Sequence, residues 1–211
     1  MRALITGIGA ISCLGRGLEV HRKAFSSGQS GLSPVERHWP GKALQSWVGL
    51  VSARKGARLN AEDMLCDAIG MALQESGLSG LGDLPVFAGS VHGEIGRWQR
   101  LRRAGDPGSA ARAQWDFDLS RLDAVRKPIV ISTACTASSV AIGEALRCLA
   151  SGKSEIAIAA GTEVVSDFLY HGFESLRALA AGRCRPFDRD RDGLNLGEGA
   201  GAIVLETAAS A

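Results

Sequence analysis

The sequence predicts an α/β protein with a mainly parallel, five-stranded mixed sheet and helices on both faces. Five short apolar runs, typical of buried strands, alternate with stretches of helical periodicity along the 211 residues. Strands that are separated by helices pair in parallel, and the helices then cover both faces of the sheet. Because 45% of the residues are hydrophobic, the chain can form one sizeable core, and we expect one domain over residues 1–206 with a short tail at 207–211.

The first two elements are a strand over residues 3–6 and a helix over residues 17–25. We expect the strand to end in a turn at Gly7 and Gly9. Two such glycines also begin a dinucleotide-binding fingerprint, but Ser12 stands where the third glycine belongs and no acidic residue follows at the required distance. Close packing of the backbone against a neighbour explains these glycines better than nucleotide binding.

The clearest helix spans residues 60–77, with Asn60 as its N-cap and Gly77 at its end. A strand follows at 84–88, and the polar stretch 93–126 gives no clear prediction. Within that stretch lies a cluster of four arginines, which is either a solvated face or a docking surface for an acidic partner: Arg97, Arg100, Arg102 and Arg103.

The second half contains strands at 128–132, 155–160 and 201–205 and helices at 140–149 and 169–180. The helix over 140–149 is apolar around nearly its whole circumference, since only Glu144 and Arg147 interrupt it. One sheet cannot cover such a helix on every side. We therefore expect a further layer, supplied by another chain.

Charge and cysteine usage exclude several classes of function. The net charge of +2 gives no electrostatic reason to expect binding to nucleic acid or to an anionic membrane. No run of about 18 apolar residues suggests a membrane span. The five cysteines form no CxxC pair and no metal-ligand spacing, which favours free thiols in a reducing, cytoplasmic environment without a metal or another cofactor.

Cys135 is the strongest candidate for chemistry. It lies where an apolar strand turns into a helix, and unpaired N–H groups and the helix dipole favour a thiolate at such a position. A cysteine is otherwise often a small core residue. The four histidines stand in no partner motif for a nucleophile: His21, His38, His92 and His171.

Four motifs, in order, resemble the N-terminal half of a β-ketoacyl-acyl-carrier-protein synthase. They are Thr-Ala-Cys-Thr at 133–136, Gly-Thr-Glu at 161–163, Arg-Pro-Phe-Asp at 185–188 and Gly-Glu-Gly-Ala-Gly at 197–201. The resemblance implies the thiolase fold, in which two α/β halves stack as five layers around the nucleophile helix, and it implies a homodimer. Charged residues around the last two motifs fit a structural hydrogen-bond network better than catalysis: Asp188, Arg191, Asp192 and Glu198.

The same resemblance assigns functions to residues. Cys135 would accept an acyl group from acyl carrier protein, and a malonyl thioester would lose carbon dioxide and attack that acyl group, in fatty-acid or polyketide biosynthesis. Phe173 resembles the phenylalanine that gates the acyl pocket, although a plain core residue fits it equally well. The family's two catalytic histidines and its lysine lie in a C-terminal half. We therefore expect condensation to require a complementing C-terminal half, on a neighbouring polypeptide or in a longer parent protein. The expected protein partner is this half or a homodimer partner.

Two other functions remain open. A non-catalytic partner or chain-length-determining subunit would share the fold, but such subunits generally replace the cysteine. An unrelated cysteine-dependent acyltransferase or thioesterase would need His92 or His171 beside Cys135.

Overall fold

The computed structural model describes residues 2–39, 42–52 and 59–211. In chain order its helices and strands are β1 (Ala3–Ser12), β2 (Gly15–Arg16), α1 (Leu18–Ser26), β3 (Ser33–Trp39), β4 (Lys42–Gly49), α2 (Ala61–Ser76), β5 (Val86–Gly89), α3 (Ile95–Arg103), α4 (Pro107–Ala113), β6 (Ile129–Ile131), α5 (Ala137–Ala150), β7 (Ile156–Glu163), α6 (Asp167–Ser175), β8 (Leu196–Gly197) and β9 (Gly199–Thr207).

The main sheet has the strand order β2-β1-β9-β7-β5-β6. Strand β5 is parallel to β6 and to β7, whereas β9 is antiparallel to both β1 and β7. Consequently β1, β5, β6 and β7 all run in one direction, which confirms the predicted α/β class with a mixed sheet. The five predicted strands are present, and the two-residue β2 adds a sixth. A small second sheet, β3-β4-β8, was not predicted.

Helix α2 covers one face of the main sheet and forms the larger core with it. Its predicted ends are confirmed: the Asn60 side chain accepts a hydrogen bond from the Asp63 N–H at 2.7 Å, and Gly77 ends the helix at φ 78°. The predicted turn at Gly7 and Gly9 is wrong, because β1 continues through both glycines to Ser12. Their close packing is confirmed, since a Cβ atom on Gly9 would lie 1.9 Å from the Ala68 carbonyl oxygen of α2.

Helix α5 covers part of the opposite face. It buries Ala141, Ala145 and Leu149 against β5, β7 and β9. Its other flank is open, with Ile142 39% and Leu146 38% exposed. Within the described part of this chain, α5 is therefore packed on one side only.

The remaining helices differ from the sequence prediction in their extent. Helix α6 ends at Ser175 rather than near residue 180, because Arg177 adopts a left-handed φ of 54° and residues 178–180 exchange hydrogen bonds with Leu194. The unassigned stretch 93–126 forms α3, α4 and a short 3-10 helix at Ser120–Leu122. None of the helices in the described ranges is both long enough and apolar enough to cross a membrane.

Candidate active site

The carboxyl ends of the four co-directional strands meet at one edge of the main sheet, which is where α/β proteins place their ligand sites. A cavity of about 580 Å³ opens there. It is lined by residues from five segments, 11–13, 89–91, 134–138, 161–163 and 197–201. Its volume lies within the range of about 300–1,000 Å³ that is usual for small-molecule sites.

Cys135 lies on the turn between β6 and α5 and lines this cavity. The preceding Ala134 has a left-handed φ of 52°, a conformation that costs an L-residue about 1–2 kcal/mol. Hydrogen bonds within the turn hold it: the Thr136 hydroxyl and the Ala137 N–H donate to the carbonyl oxygens of Thr133 and Ala134 at 2.6 and 3.1 Å. The turn thereby presents an exposed Cys135 thiol immediately before the helix.

Two glycines allow the first turn of α5 to approach the sheet. A Cβ atom on Gly89 would lie 2.6 Å from the Ala137 carbonyl carbon, and one on Gly161 would lie 2.1 Å from the Ser138 Oγ. In the described structure no group accepts a hydrogen bond from the N–H of Ser138 or Ser139. These N–H groups and the positive end of the helix dipole favour negative charge beside Cys135.

The two carboxylates of the cavity wall are engaged in holding loops. Glu163 Oε2 accepts hydrogen bonds from the N–H groups of Val91 and His92 at 2.8 and 3.3 Å. The buried Glu198 accepts from the N–H groups of Val51 and Val165 at 3.1 and 3.3 Å. This confirms the predicted structural role for Glu198, and both groups fix the shape of the cavity.

The remaining charged residues of the closing loop make contacts of the same kind. The Asp188 side chain accepts from the Asp190 N–H at 2.7 Å, and Arg191 donates to the Asp188 carbonyl oxygen at 3.1 Å. Asp192 accepts from the Ala181 N–H at 3.2 Å. These residues therefore stabilise the loop.

Neither histidine of the alternative hypothesis is among the described residues that line the cavity. His92 Nδ1 lies 3.7 Å from Glu163 Oε1, and its ring packs edge-on against Phe168. His171 Nδ1 lies 2.8 Å from Glu174 Oε2 on α6. The structure therefore gives no contact between Cys135 and either ring.

The other cysteines are less accessible than Cys135. Cys13 also lines the cavity, but its Sγ is confined between the backbones of Gly31 and Gly49, and burial raises the pKa of its thiol. Cys66 is a buried residue of α2, and burial raises the pKa of its thiol as well. Cys148 and Cys184 are half-buried, and all five thiols are free.

Phe173 packs beside Val48, Val165 and Tyr170 in a small core under α6. It is not among the residues lining the cavity, so its role as an acyl-pocket gate stays a prediction. In the described part of the chain, no three His, Cys, Asp or Glu side chains are grouped as metal ligands.

One pair of polar residues was missed by the sequence analysis. Ser12 lines the cavity, and its Oγ lies 2.8 Å from His21 Nε2. The two residues are nine positions apart on different elements. No motif of fixed spacing marks such a pair. The sequence analysis noted Ser12 only because it occupies the third glycine position of a dinucleotide-binding fingerprint.

Comparison with known proteins shows which family this chain resembles. Residues 124–211 match the family model described as the N-terminal domain of β-ketoacyl synthase. A 3-oxoacyl-[acyl-carrier-protein] synthase 2 of Vibrio cholerae is 32% identical over 97% of this chain and 58% of its own length. A synthase of the same name from Synechocystis is 27% identical over 100% of this chain and 58% of its own length. The chain thus spans a little over half the length of these relatives.

Solved structures with a similar fold are also ketosynthases. The ishigamide ketosynthase/chain length factor superposes with a TM-score of 0.78 at 28% identity, over 99% of this chain and 59% of the other. A β-ketoacyl synthase from Burkholderia phymatum, at 24% identity, shares the fold with a TM-score of 0.71 over 99% of this chain and 60% of the other. The chain has the thiolase-like ketosynthase fold, and its sequence resembles the N-terminal half of a β-ketoacyl synthase.

Proposed function

We propose that this chain provides the acyl-accepting part of a β-ketoacyl synthase in fatty-acid or polyketide biosynthesis, with Cys135 as the nucleophile. The observation that carries the proposal is the exposed Cys135 thiol, which lies at the start of α5 and in the wall of a cavity of about 580 Å³. The Cys135 sulfur attacks the carbonyl carbon of an acyl thioester and forms a new C–S bond. The old C–S bond breaks, and the carrier thiol leaves with the proton that Cys135 has given up.

The tetrahedral intermediate of this step carries negative charge on oxygen. The proposed donor is the N–H group of Ser138, which lines the cavity and donates to no acceptor in the described structure. Each such donor is typically worth about 3–4 kcal/mol in the transition state of acyl transfer. Acylation therefore needs only groups that lie near Cys135.

The proposed acyl donor is an acyl carrier protein. The names of the Vibrio cholerae and Synechocystis relatives specify acyl-carrier-protein substrates, and those relatives align along nearly the whole chain. A second protomer or a complementing C-terminal half is the proposed protein partner, since α5 has an open apolar flank.

Carbon–carbon bond formation needs more than the described cavity wall provides. Decarboxylation of a malonyl thioester builds up negative charge on an enolate, which requires hydrogen-bond donors directed at that oxygen. The described wall contains no histidine, and its two carboxylates are occupied as acceptors. We infer that condensation requires donors from another polypeptide segment.

Selective alkylation tests the nucleophile. Under limiting iodoacetamide or cerulenin, we expect Cys135 to be modified before Cys148 and Cys184, which are half-buried. The Cys135→Ala variant should lose this fast reaction, and the matched Cys148→Ala variant should keep it. Equal or slower modification of Cys135 in the folded chain would count against a nucleophilic role.

Product analysis tests the division between the two half-reactions. With acyl and malonyl carrier proteins, the purified chain should become acylated but form no 3-oxoacyl product. Turnover at about 1 s⁻¹ or faster, within the usual range for enzymes, would show that the chain condenses unaided.

A non-catalytic chain-length-determining subunit is the second candidate, because a neighbour at 28% identity is a ketosynthase/chain length factor. Absence of selective reaction at Cys135, together with stable binding to a separate ketosynthase subunit, would favour this function.

A further inference from the structure

Ser12 and His21 have the geometry of a nucleophile and its general base. The Ser12 Oγ lies 2.8 Å from His21 Nε2, and His21 Nδ1 lies 2.7 Å from the Gly17 carbonyl oxygen. A carbonyl oxygen can only accept a hydrogen bond, so Nδ1 carries the ring proton. In the neutral ring Nε2 is then unprotonated, and the Ser12 hydroxyl donates to it.

A backbone N–H group also donates a hydrogen bond to the Ser12 oxygen. The Leu14 N–H donates to Ser12 Oγ at 3.1 Å, so the oxygen accepts one hydrogen bond while it donates another. Gly17 is the N-cap residue of α1, and its N–H donates to the Ala10 carbonyl oxygen at 2.8 Å, which fixes the loop that orients the imidazole. A nucleophile, a base and a group that orients the base are therefore in contact, as nucleophilic catalysis requires.

The position of this pair connects it to the cavity. Ser12 is the last residue of β1 and lines the same wall as Cys135 and Glu198. A thioester that enters the cavity to react with Cys135 therefore meets a second nucleophile. The acyl thioester as substrate class is taken from the proposed function, and hydrolysis goes beyond that function.

We propose that Ser12 and His21 form a second nucleophilic site, which hydrolyses acyl thioesters bound in this cavity. Ser12 Oγ attacks the carbonyl carbon, its proton passes to His21 Nε2, and the C–S bond breaks as the leaving thiolate takes that proton. Water then attacks the acyl-serine ester and gives a proton to Nε2. The C–O bond to Ser12 breaks, and Ser12 Oγ recovers the proton. One thioester and one water yield one carboxylic acid and one thiol.

Two readouts test the proposal on the full chain. Phenylmethanesulfonyl fluoride should sulfonylate Ser12, which peptide mass mapping detects without any substitution. In a Cys135→Ala background, the chain should hydrolyse the acetyl thioester of N-acetylcysteamine. Since a positioned base usually contributes about 100- to 10,000-fold, Ser12→Ala and His21→Gln should each reduce that rate at least tenfold. The Ser151→Ala control, at the exposed end of α5, should retain it.

The outcomes separate this proposal from the proposed function. An unlabelled Ser12, together with hydrolysis at the rate of buffer alone in the Cys135→Ala chain, would overturn the second site and leave acylation of Cys135 unaffected. Labelled Ser12 with an unreactive Cys135 would support the second site while contradicting the proposed nucleophile. Circular dichroism of each variant excludes unfolding as the cause of a lost rate.

Discussion

At the scale of single residues, the position of Cys135 depends on glycines that carry no chemistry of their own. Gly89 and Gly161 let the first turn of α5 approach the ends of β5 and β7. The contact at Gly89 is with backbone atoms of Ala137 and Ser138, which no side-chain rotation can relieve. The geometry at the thiol is thus set by the sheet beneath it.

Substitution of Gly89 tests this dependence. We expect Gly89→Ala to lower the free energy of unfolding by about 1–3 kcal/mol through overpacking, and to slow alkylation of Cys135 because α5 must shift. Urea denaturation and the alkylation rate measure the two effects.

The matched control is Gly143→Ala within α5. An added Cβ atom there meets nothing within 4 Å. The Gly143→Ala substitution should raise the free energy of unfolding by roughly 0.5–1 kcal/mol, because alanine replaces glycine inside a helix. Equal stability and equal alkylation rates for the two variants would contradict the close-approach argument.

Some of the site could be predicted at this scale and some could not. Cys135 was recognisable because the strand, the turn and the helix that position it are consecutive in sequence. Ser12 and His21 were not, because β2 and the start of α1 lie between them and bring them together only in the folded chain. The backbone-binding role of Glu163 also depends on tertiary contacts, in this case with residues 91 and 92.

At the scale of elements, the start of α2 holds a buried carboxylate. Glu94 is 2% exposed, and its Oε1 accepts a hydrogen bond from the Glu62 N–H in the first turn of α2. Burial raises the pKa of Glu94, with smaller raising contributions from Glu62 and Asp63, and Arg97 and the Glu62 hydrogen bond oppose it. The folded chain therefore binds this proton more tightly than the unfolded chain does.

The sign of the pH dependence follows from this raised pKa. The contribution of Glu94 to stability is fully present below the unfolded pKa and is lost as pH rises through the higher folded pKa. Glu94→Gln keeps an acceptor oxygen but cannot ionise. We therefore expect the stability of the variant, relative to the unsubstituted chain, to increase with pH across that window. Urea denaturation at a series of pH values measures the free energy of unfolding of both chains. A difference between the two chains that stays constant with pH would contradict the raised pKa of Glu94.

Elements with strong periodicity were predictable, and short ones were not. Helix α2 carried both its caps and its apolar face in sequence, so its ends were correct. The prediction for α6 was too long because the left-handed turn at Arg177 is stabilised by pairing with Leu194, which is distant in sequence. The two-residue strand β8 likewise exists only through its pairing with β4.

At the scale of the whole molecule, one apolar surface stands out. Ile5 and Ile8 of β1 are 56% and 38% exposed, and Ile142 and Leu146 of α5 are exposed on the same side of the sheet. The fold class was predictable from the alternation of strands and helices, and the resemblance to β-ketoacyl synthases from ordered motifs over the second half of the chain. The sequence did not identify what covers this surface, because an apolar helix pattern indicates burial but does not identify the partner.

Self-association is the expected consequence of this surface. We expect the 211-residue chain to form larger species as its concentration rises, and an Ile8→Lys/Leu146→Lys variant to do so less. The control is Val125→Lys, a 78% exposed apolar residue outside this surface, which should associate like the unsubstituted chain. Light scattering after size exclusion measures the effect. A monomeric unsubstituted chain at every concentration would contradict this expectation.

The central claim is that Cys135 takes up an acyl group from a thioester, and site-resolved mass spectrometry tests it most directly. After brief incubation with an acyl-carrier-protein thioester, the peptide that contains Cys135 should gain the mass of one acyl group, and the Cys135→Ala chain should show no acyl-cysteine. A folded chain whose Cys135 peptide stays unmodified while the thioester remains in excess would contradict the account.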